Sequence, residues 1–220
     1  MMIKEDGKRM MDEVYTDIGA TTSEAMKISR KSRKLISSLI GDAGPEDRIR
    51  QRCVIATGDP SIAEILRFMH DPVKTGLMAL EDSSPILVDI KMVAAGVLKK
   101  GHNSSVTSFI GSGDDLASER GITRTSAGIL AHQEELTGSI VVIGNAPSAL
   151  LTLCDLMSSG KAKPRLIIGT PVGFVNAAES KERLRSMDVP SISTVGTRGG
   201  TPIAVASINE IINMFERSRH

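Results

Sequence analysis

Three glycine-containing loops in the last third of the chain carry the residues best suited to bind an anionic ligand. They lie within residues 140–150, 166–175 and 191–202, where a short apolar run is followed by glycine and small polar residues. In the first and third segments a proline, Pro147 or Pro202, stands where a helix would begin. The first turn of a helix has unpaired backbone N–H groups, each of which stabilises a nearby carboxylate by about 0.3–1 kcal/mol. The three loops therefore predict an anion-binding crevice.

A parallel sheet is needed to bring these loops together. Each apolar run has the composition of a strand that is buried on both faces. Strands joined through helices pair in parallel with right-handed crossovers, so the three loops should emerge at one edge of one sheet. That carboxyl edge is where open α/β sheets bind their ligands. The sequence therefore predicts an α/β fold, a single doubly wound domain with a mainly parallel sheet flanked by helices.

The rest of the chain alternates predicted helices and strands, which gives about six strands in all. Residues 1–20 are polar and irregular, which predicts an N-terminal arm before a single domain over residues 21–220. The predicted helices begin at Thr22 (to about Ile40), Pro60 (to about Phe68), Asp71, Lys91 and Thr123 (to about Glu135). The predicted strands before residue 140 are 52–59 (a strand and then a loop), 85–90 and 106–110.

Composition and charge exclude several classes of protein. The formal net charge of +1 gives no electrostatic case for binding nucleic acid or an anionic membrane surface. With no Trp, one Tyr and four Phe, the chain lacks the aromatic platforms on which single-stranded nucleic acid stacks. No segment has the ~20 apolar residues of a membrane span, and no signal peptide is visible. We expect a cytoplasmic protein with no nucleic-acid or membrane partner, in which Cys53 and Cys154 are buried thiols.

No cofactor or metal motif is apparent. Gly111-Ser-Gly113 follows a predicted strand, but Leu116 occupies the position where a dinucleotide fingerprint has its third glycine. A tight turn is therefore the preferred interpretation, and a nucleotide-binding regulatory domain is a minor third hypothesis for function. No histidine, cysteine or carboxylate cluster has metal-ligand spacing. We expect no cofactor and no protein-bound metal.

Several segments, in the same order, resemble the precorrin-8X methylmutase family of corrin biosynthesis. The family loop Ile-Gly-Asn-Ala-Pro-Thr-Ala-Leu is present as Ile-Gly-Asn-Ala-Pro-Ser-Ala-Leu, and Pro-Val-Gly-Phe-Val, Glu-Ser-Lys and Gly-x-x-Gly-Gly elements follow it. The matching segments are residues 85–96, 123–127, 143–150, 171–175, 179–181 and 196–200. The similarity runs from about Ser29 to Ile212, which is most of the chain.

The resemblance implies a reaction on a large macrocycle. Family members move a methyl group from C11 to C12 of a corrin precursor, on the route to cobyrinic acid and cobalamin. This 1,5-sigmatropic shift needs no redox or group-transfer cofactor, so the enzyme must hold the ring in a reactive shape and control its protonation. The substrate carries many acetate and propionate arms, and cobalt, where present, arrives inside the ring. The resemblance also implies a homodimer.

The resemblance further indicates which residues bind this polycarboxylate. Arg124, Arg52 and Ser29 match substrate-binding positions of the family, and an arginine makes charge-assisted hydrogen bonds to carboxylates. The expected substrate-binding residues are Ser29, Arg52, Thr57, Gly58, Asp89, Arg124, Asn145, Lys181 and Arg198.

Four of these residues have a second interpretation. Asn145 could cap the helix that starts at Pro147, and Asp89 could order the neighbouring loop. Lys181 could lie on the solvated face of a helix. Arg198, between glycines in an exposed loop, could contact a partner subunit.

One position departs from the family pattern. Family members carry Arg-x-x-His-Ala-x-Gly, whose histidine is regarded as the catalytic acid/base, whereas this chain has Ile55 in its place between Arg52 and Gly58. Because isoleucine cannot transfer a proton, the runner-up function is a non-catalytic relative that binds a corrinoid or another tetrapyrrole. His132, eight residues after Arg124, could reach the crevice, but an ordinary amphipathic-helix histidine is the favoured interpretation.

Overall fold

The computed structural model describes residues 22–219, and the predicted N-terminal arm, residues 1–20, lies outside them. The helices are α1 Ser23–Ile40, α2 Pro45–Thr57, α3 Ile62–Ile65, α4 Pro72–Glu81, α5 Lys91–Gly96, α6 Asp114–Arg120, α7 Arg124–Ala131, α8 Pro147–Ser158, α9 Ala177–Arg185 and α10 Thr201–Ser218. The strands are β1 Leu66–Met69, β2 Ile86–Val88, β3 Val106–Ser108, β4 Ile140–Ile143, β5 Leu166–Gly169 and β6 Ser191–Thr194. A 3₁₀ turn, Gln133–Glu135, follows α7.

The strands form one six-stranded sheet in the order β1-β6-β5-β4-β2-β3. Every neighbouring pair is parallel except β1 and β6, which are antiparallel. The three strands that precede the glycine-containing loops, β4, β5 and β6, are adjacent and parallel, so those loops do emerge at one edge. The predicted mainly parallel sheet is confirmed.

Helices cover both faces of this sheet. Side chains alternate along each strand, so Val142 and Ile168 belong to a core that α10 covers, whereas Val141 and Ile167 belong to a second core beneath α8. All four are fully buried, and each contributes roughly 1.5–3 kcal/mol of hydrophobic free energy. This two-sided arrangement confirms the predicted doubly wound fold.

The prediction of a strand at residues 52–59 is wrong, because α2 occupies this part of the chain. Pro45 stands at the first position of α2, and Gly58 ends it in a left-handed conformation with φ +68°. The buried residues Ile49, Cys53 and Val54 follow helical spacing and pack against the core under α10. The β-branched residues after Cys53 favour a strand locally. The helix start at Pro45, the helix end at Gly58 and the apolar spacing together favour a helix more strongly.

The predicted helix from Pro60 to about Phe68 is also wrong over its second half. Only Ile62–Ile65 is helical, and Leu66–Met69 forms the edge strand β1. Leu66 pairs with Thr194 on β6, which is far away in the sequence. Because pairing with a distant strand determines this segment, local propensity does not predict it. The helix from Thr123 is likewise shorter than predicted, since α7 ends at Ala131.

Candidate active site

Several predicted binding residues meet at the carboxyl edge of the sheet. The β6–α10 loop, residues 195–200, leaves β6 at this edge, and the α2–β1 connection arrives there because β1 is antiparallel to β6. Arg198 joins the two segments, since its Nη1 donates to Asp59 Oδ2 at 3.0 Å and to Ser61 Oγ at 2.7 Å. Thr57 and Gly58 immediately precede Asp59, so the structure brings them close to Arg198.

Asp89 holds the β4–α8 loop from beneath. Its buried carboxylate accepts hydrogen bonds from the backbone N–H groups of Gly144 at 3.2 Å, Asn145 at 2.7 Å and Ala146 at 2.9 Å. Burial raises the pKa of Asp89, and these backbone bonds oppose the increase. The loop-ordering interpretation of Asp89 therefore fits its contacts. These three amides precede the first turn of α8, so they are not the helix amides predicted to bind an anion, and the Asn145 side chain is exposed.

Replacing Asp89 with asparagine should destabilise the fold by about 1–3 kcal/mol, because an amide NH2 would face a backbone donor that needs an acceptor. The free energy of unfolding can be measured by urea denaturation. Asp115→Asn, at an exposed position on α6, is the matched control. Equal stability of both variants would show that the carboxylate does not hold the loop.

Arg124 also lies at the carboxyl edge of the sheet, on the side away from Arg198. Its Nε and Nη2 donate to the two carboxylate oxygens of Asp114 at 2.9 and 2.7 Å, and these bonds lower the pKa of Asp114. The side chain is 60% exposed, so the guanidinium is open to solvent. Thr123 Oγ1 lies 2.8 Å from Ser148 Oγ, which ties the start of α7 to the start of α8. Arg124 is therefore placed where a ligand above the β4–α8 loop can reach it.

Lys181 does not lie on a solvated face. It is completely buried, and its Nζ donates to Thr194 Oγ1 at 3.0 Å and to the carbonyl oxygen of Arg198 at 2.7 Å. Burial and, to a smaller extent, the nearby Arg185 cation together lower the pKa of Lys181 to about 8. The solvated-helix interpretation is wrong, because Lys181 supports the β6–α10 loop from inside.

Ile55 lies in the last turn of α2 rather than at the end of a strand. It lines a cavity of about 220 Å³ between α1 and α2. The other lining residues are Ser32, Leu35, Ile36, Val54, Gly58 and Pro60. This wall is mainly apolar. Ser29 lies one turn before Ser32 on α1, and Arg52 lies one turn before Ile55 on α2, where it is half-buried.

Within residues 22–219, no three His, Cys, Asp or Glu side chains are grouped so that they could hold a metal ion. Nor does any helix in the same range combine the length and the apolar character that crossing a membrane requires.

Comparison with known proteins identifies the family. The family model for precorrin-8X methylmutase matches residues 27–214. The chain belongs to the precorrin-8X methylmutase family. The resemblance of the loop and strand motifs is therefore confirmed, and the match includes the segment around Ile55.

Relatives in this family cover nearly the whole chain. A cobalt-precorrin-8 methylmutase from Methanocaldococcus jannaschii is 41% identical over 89% of this chain and 96% of its own length. A precorrin-8X methylmutase from Pseudomonas aeruginosa is 38% identical over 80% of this chain and 87% of its own. The crystal structure of precorrin-8X methylmutase from Thermus thermophilus superposes with a TM-score of 0.80, at 31% identity, and covers 87% of this chain and 97% of that one.

His132 has the contacts of a structural residue in this methylmutase fold. Its Nδ1 lies 2.9 Å from Glu135 Oε1, and its Nε2 lies 2.9 Å from Ser112 Oγ. The ring also packs against Phe109, with the centroids 5.5 Å apart. Because both ring nitrogens have partners, the interpretation as an ordinary helix histidine fits the structure.

The sequence does not predict the carboxylates that pair with the two arginines of the candidate site. Asp59 bonds Arg198, which is 139 residues away, and Asp114 bonds Arg124. Each aspartate directly follows a glycine in a loop, but no spacing rule links it to its arginine. The only available signal was the presence of an acid beside each glycine turn.

Proposed function

We propose that this chain is an isomerase of cobalamin biosynthesis that moves a methyl group from C11 to C12 of a precorrin-8X or cobalt-precorrin-8 macrocycle. The observation that carries the proposal is the family match over residues 27–214. The relatives are named for the methylmutase reaction, which favours an enzyme over a non-catalytic tetrapyrrole carrier. Mixing the purified protein with the precursor and following its visible absorption tests turnover directly. Product binding without turnover would support the carrier instead.

The reaction is intramolecular, so the protein contributes by holding the ring and controlling its protonation. Acetate and propionate arms need cations at fixed positions. Arg124 supplies one such cation at the α7 side of the carboxyl edge. Its Nε and Nη2 donate to Asp114, and its Nη1 takes no part in these two bonds. Arg198 supplies a second cation at the α2 side. Two cations on opposite sides of one edge suit a wide polyanionic ring.

The apolar cavity beside Ile55, about 220 Å³ in volume, can receive part of the hydrocarbon edge of such a ring. Its wall contains Ile36, Val54 and Pro60, and these side chains offer no proton. The macrocycle's own cobalt, where present, can polarise the ring as an electrophile without a protein acid. The cavity therefore supports binding of the macrocycle, while any acid/base assistance must come from another group.

We also propose that the chain forms a symmetric dimer whose partner helps to close the site. Helix α1 has 18 residues and none of them is fully buried. Ile28, Leu35 and Leu39 lie on one face of α1 and are 61%, 58% and 67% exposed, and Phe174 in the β5–α9 loop is 95% exposed. Apolar groups that face solvent beside a ligand site are typical of protein interfaces. A second copy of the chain is the partner that the family resemblance implies.

Light scattering should give the mass of a dimer at micromolar concentration. Leu35→Glu should raise the dimer dissociation constant by at least about tenfold, because it places a charge within the apolar interface. Arg30→Glu, at an exposed position on the other side of the same helix, is the control. A monomer mass for the unmodified protein, with ligand still bound, would contradict the proposed assembly.

A further inference from the structure

Lys181 is a buried cation, so it cannot bind a substrate carboxylate directly as the resemblance implies. The residue is 0% exposed, and burying an ammonium group costs several kcal/mol unless other groups compensate. Among residues 22–219, no carboxylate forms an ion pair with its Nζ, whose acceptors are a hydroxyl and a backbone carbonyl. Such an arrangement costs stability, which is more typical of a functional residue than of a purely structural one.

Both acceptors belong to the base of the β6–α10 loop. Lys181 donates to Thr194 Oγ1, and that hydroxyl donates in turn to the carbonyl oxygen of Arg198 at 2.7 Å. The same carbonyl accepts a second bond, also 2.7 Å long, from Lys181 Nζ. Three groups therefore close a ring of hydrogen bonds that fixes where residue 198 sits relative to the end of β6.

The end of β5 supports the same loop from its other side. The N–H of Gly200 donates to the carbonyl oxygen of Thr170 at 2.7 Å. At Gly199 an added Cβ would lie only 2.3 Å from that oxygen, so the two backbones approach closely. With both sides held, the Arg198 side chain extends to Asp59 and Ser61 next to the end of α2.

We propose that Lys181 is a positioning residue for the methylmutase reaction, whose buried ammonium fixes the β6–α10 loop and so places Arg198 beside the substrate cavity. Lys181 acts through Arg198 and does not touch the macrocycle. The inference rests on the proposed function, because it takes this loop as a border of the substrate site.

The charge of Lys181 adds a pH dependence that a purely structural contact lacks. Its pKa is about 8, so above this pH the folded protein loses the ammonium and its charge-assisted bonds. Other titratable groups lie near Lys181. On its own helix, α9, the Arg185 cation acts on it. On α8, which packs against α9, the groups are Cys154, whose pKa burial raises to about 11, and Asp155, which pairs with Arg183. From the loops, the charged groups are Arg198 and Asp59.

The signs of the two pH effects are opposite. Ligand binding should weaken as the pH rises through about 8, because the loop loses its cation. Folding stability should instead increase from about pH 8 towards the ordinary lysine pKa of 10.5, since only the unfolded chain binds the extra proton in that range. Both effects should disappear when Lys181 is replaced by an uncharged residue.

The test is a titration with cobyrinic acid, followed by visible absorption, at pH 7 and at pH 9.5. Lys181→Met should bind about tenfold more weakly than the unmodified protein at pH 7. The unmodified protein should lose most of this advantage at pH 9.5. In a separate turnover assay with the precursor, the KM of Lys181→Met should rise more than its kcat falls. Lys161→Met, an exposed lysine that leads into the opposite edge of the sheet, should behave like the unmodified protein.

Two outcomes would overturn the inference. One is equal affinity of Lys181→Met and the unmodified protein at pH 7, and the other is an unmodified affinity that does not change between pH 7 and 9.5. If Lys181→Met does not fold, Thr194→Val removes the bridging hydroxyl and should weaken binding in the same direction. An unmodified protein that binds no cobyrinic acid at either pH would instead reject the proposed function, and the inference with it.

Discussion

Replacing Ile55 with histidine should raise the rate of methyl migration by about 10²–10⁴, the usual contribution of general acid–base catalysis. The motif resemblance implies that Ile55 occupies the position of the family's acid/base histidine, and the flanking Arg52 and Gly58 of that motif are present. It lines the 220 Å³ cavity at the end of α2, so a new imidazole would face space rather than packed core. The expected gain is in kcat, because the change supplies a proton carrier and leaves the binding groups unchanged.

Two comparisons separate proton transfer from a change of shape. Ile55→Gln introduces a polar side chain that cannot transfer a proton near neutral pH, and it should give no gain. Cobalt in the ring can polarise the macrocycle in place of a proton. The gain from Ile55→His should therefore be larger with metal-free substrate than with the cobalt-containing form. Single-turnover absorption measurements with both substrates would show this difference.

Efficient turnover by the unmodified protein, together with no gain in Ile55→His, would contradict the interpretation of Ile55. Proton control would then come from elsewhere. His132 is a poor replacement because Glu135 and Ser112 occupy both of its ring nitrogens. The interpretation of residue 55 as a lost catalytic position would then be wrong, although the family assignment would stand.

The parts of the fold that the sequence predicts are those that local pattern determines. The segments that became β4, β5 and β6 have continuous apolar runs, and glycine or proline marks where each strand gives way to a loop. The prediction of a strand at residues 52–59 is wrong because Cys-Val-Ile has the composition of a strand, whereas Ile49, Cys53 and Val54 have helical spacing. Strand β1 is not predictable from local sequence because its pairing with β6 is non-local.

For the candidate site too, some features are predictable from local sequence and others are not. The glycine loops and the arginines could be located by motif, whereas the partners of those residues depend on the folded chain. The three backbone groups that bind Asp89 lie 55 to 57 residues away from it. Burial of Lys181 likewise depends on how α9 packs against β6 and the β6–α10 loop. Side-chain roles that depend on tertiary packing cannot be derived from residue type and spacing alone.

Replacing Arg124 with alanine should weaken the binding of cobyrinic acid by roughly 10- to 100-fold, the usual effect of losing a charge-assisted bond to a carboxylate. The guanidinium is exposed at the carboxyl edge and held in a fixed direction by Asp114. Its loss should hardly change thermal stability, because exposed ion pairs contribute little. Product titration at low and high salt measures the effect, and the difference between the proteins should shrink as salt screens the cation.

Two further variants decide whether Arg124 binds a ligand or only pairs with Asp114. Arg183→Ala removes another surface arginine that is paired with an aspartate, Asp155, and it should leave product binding unchanged. Asp114→Asn frees the guanidinium but removes the group that orients it, so binding should change much less than in Arg124→Ala. If Arg124→Ala lowers stability while product affinity stays the same, the arginine is structural. The carboxyl edge would then need a different cation on its α7 side to hold a polycarboxylate ring.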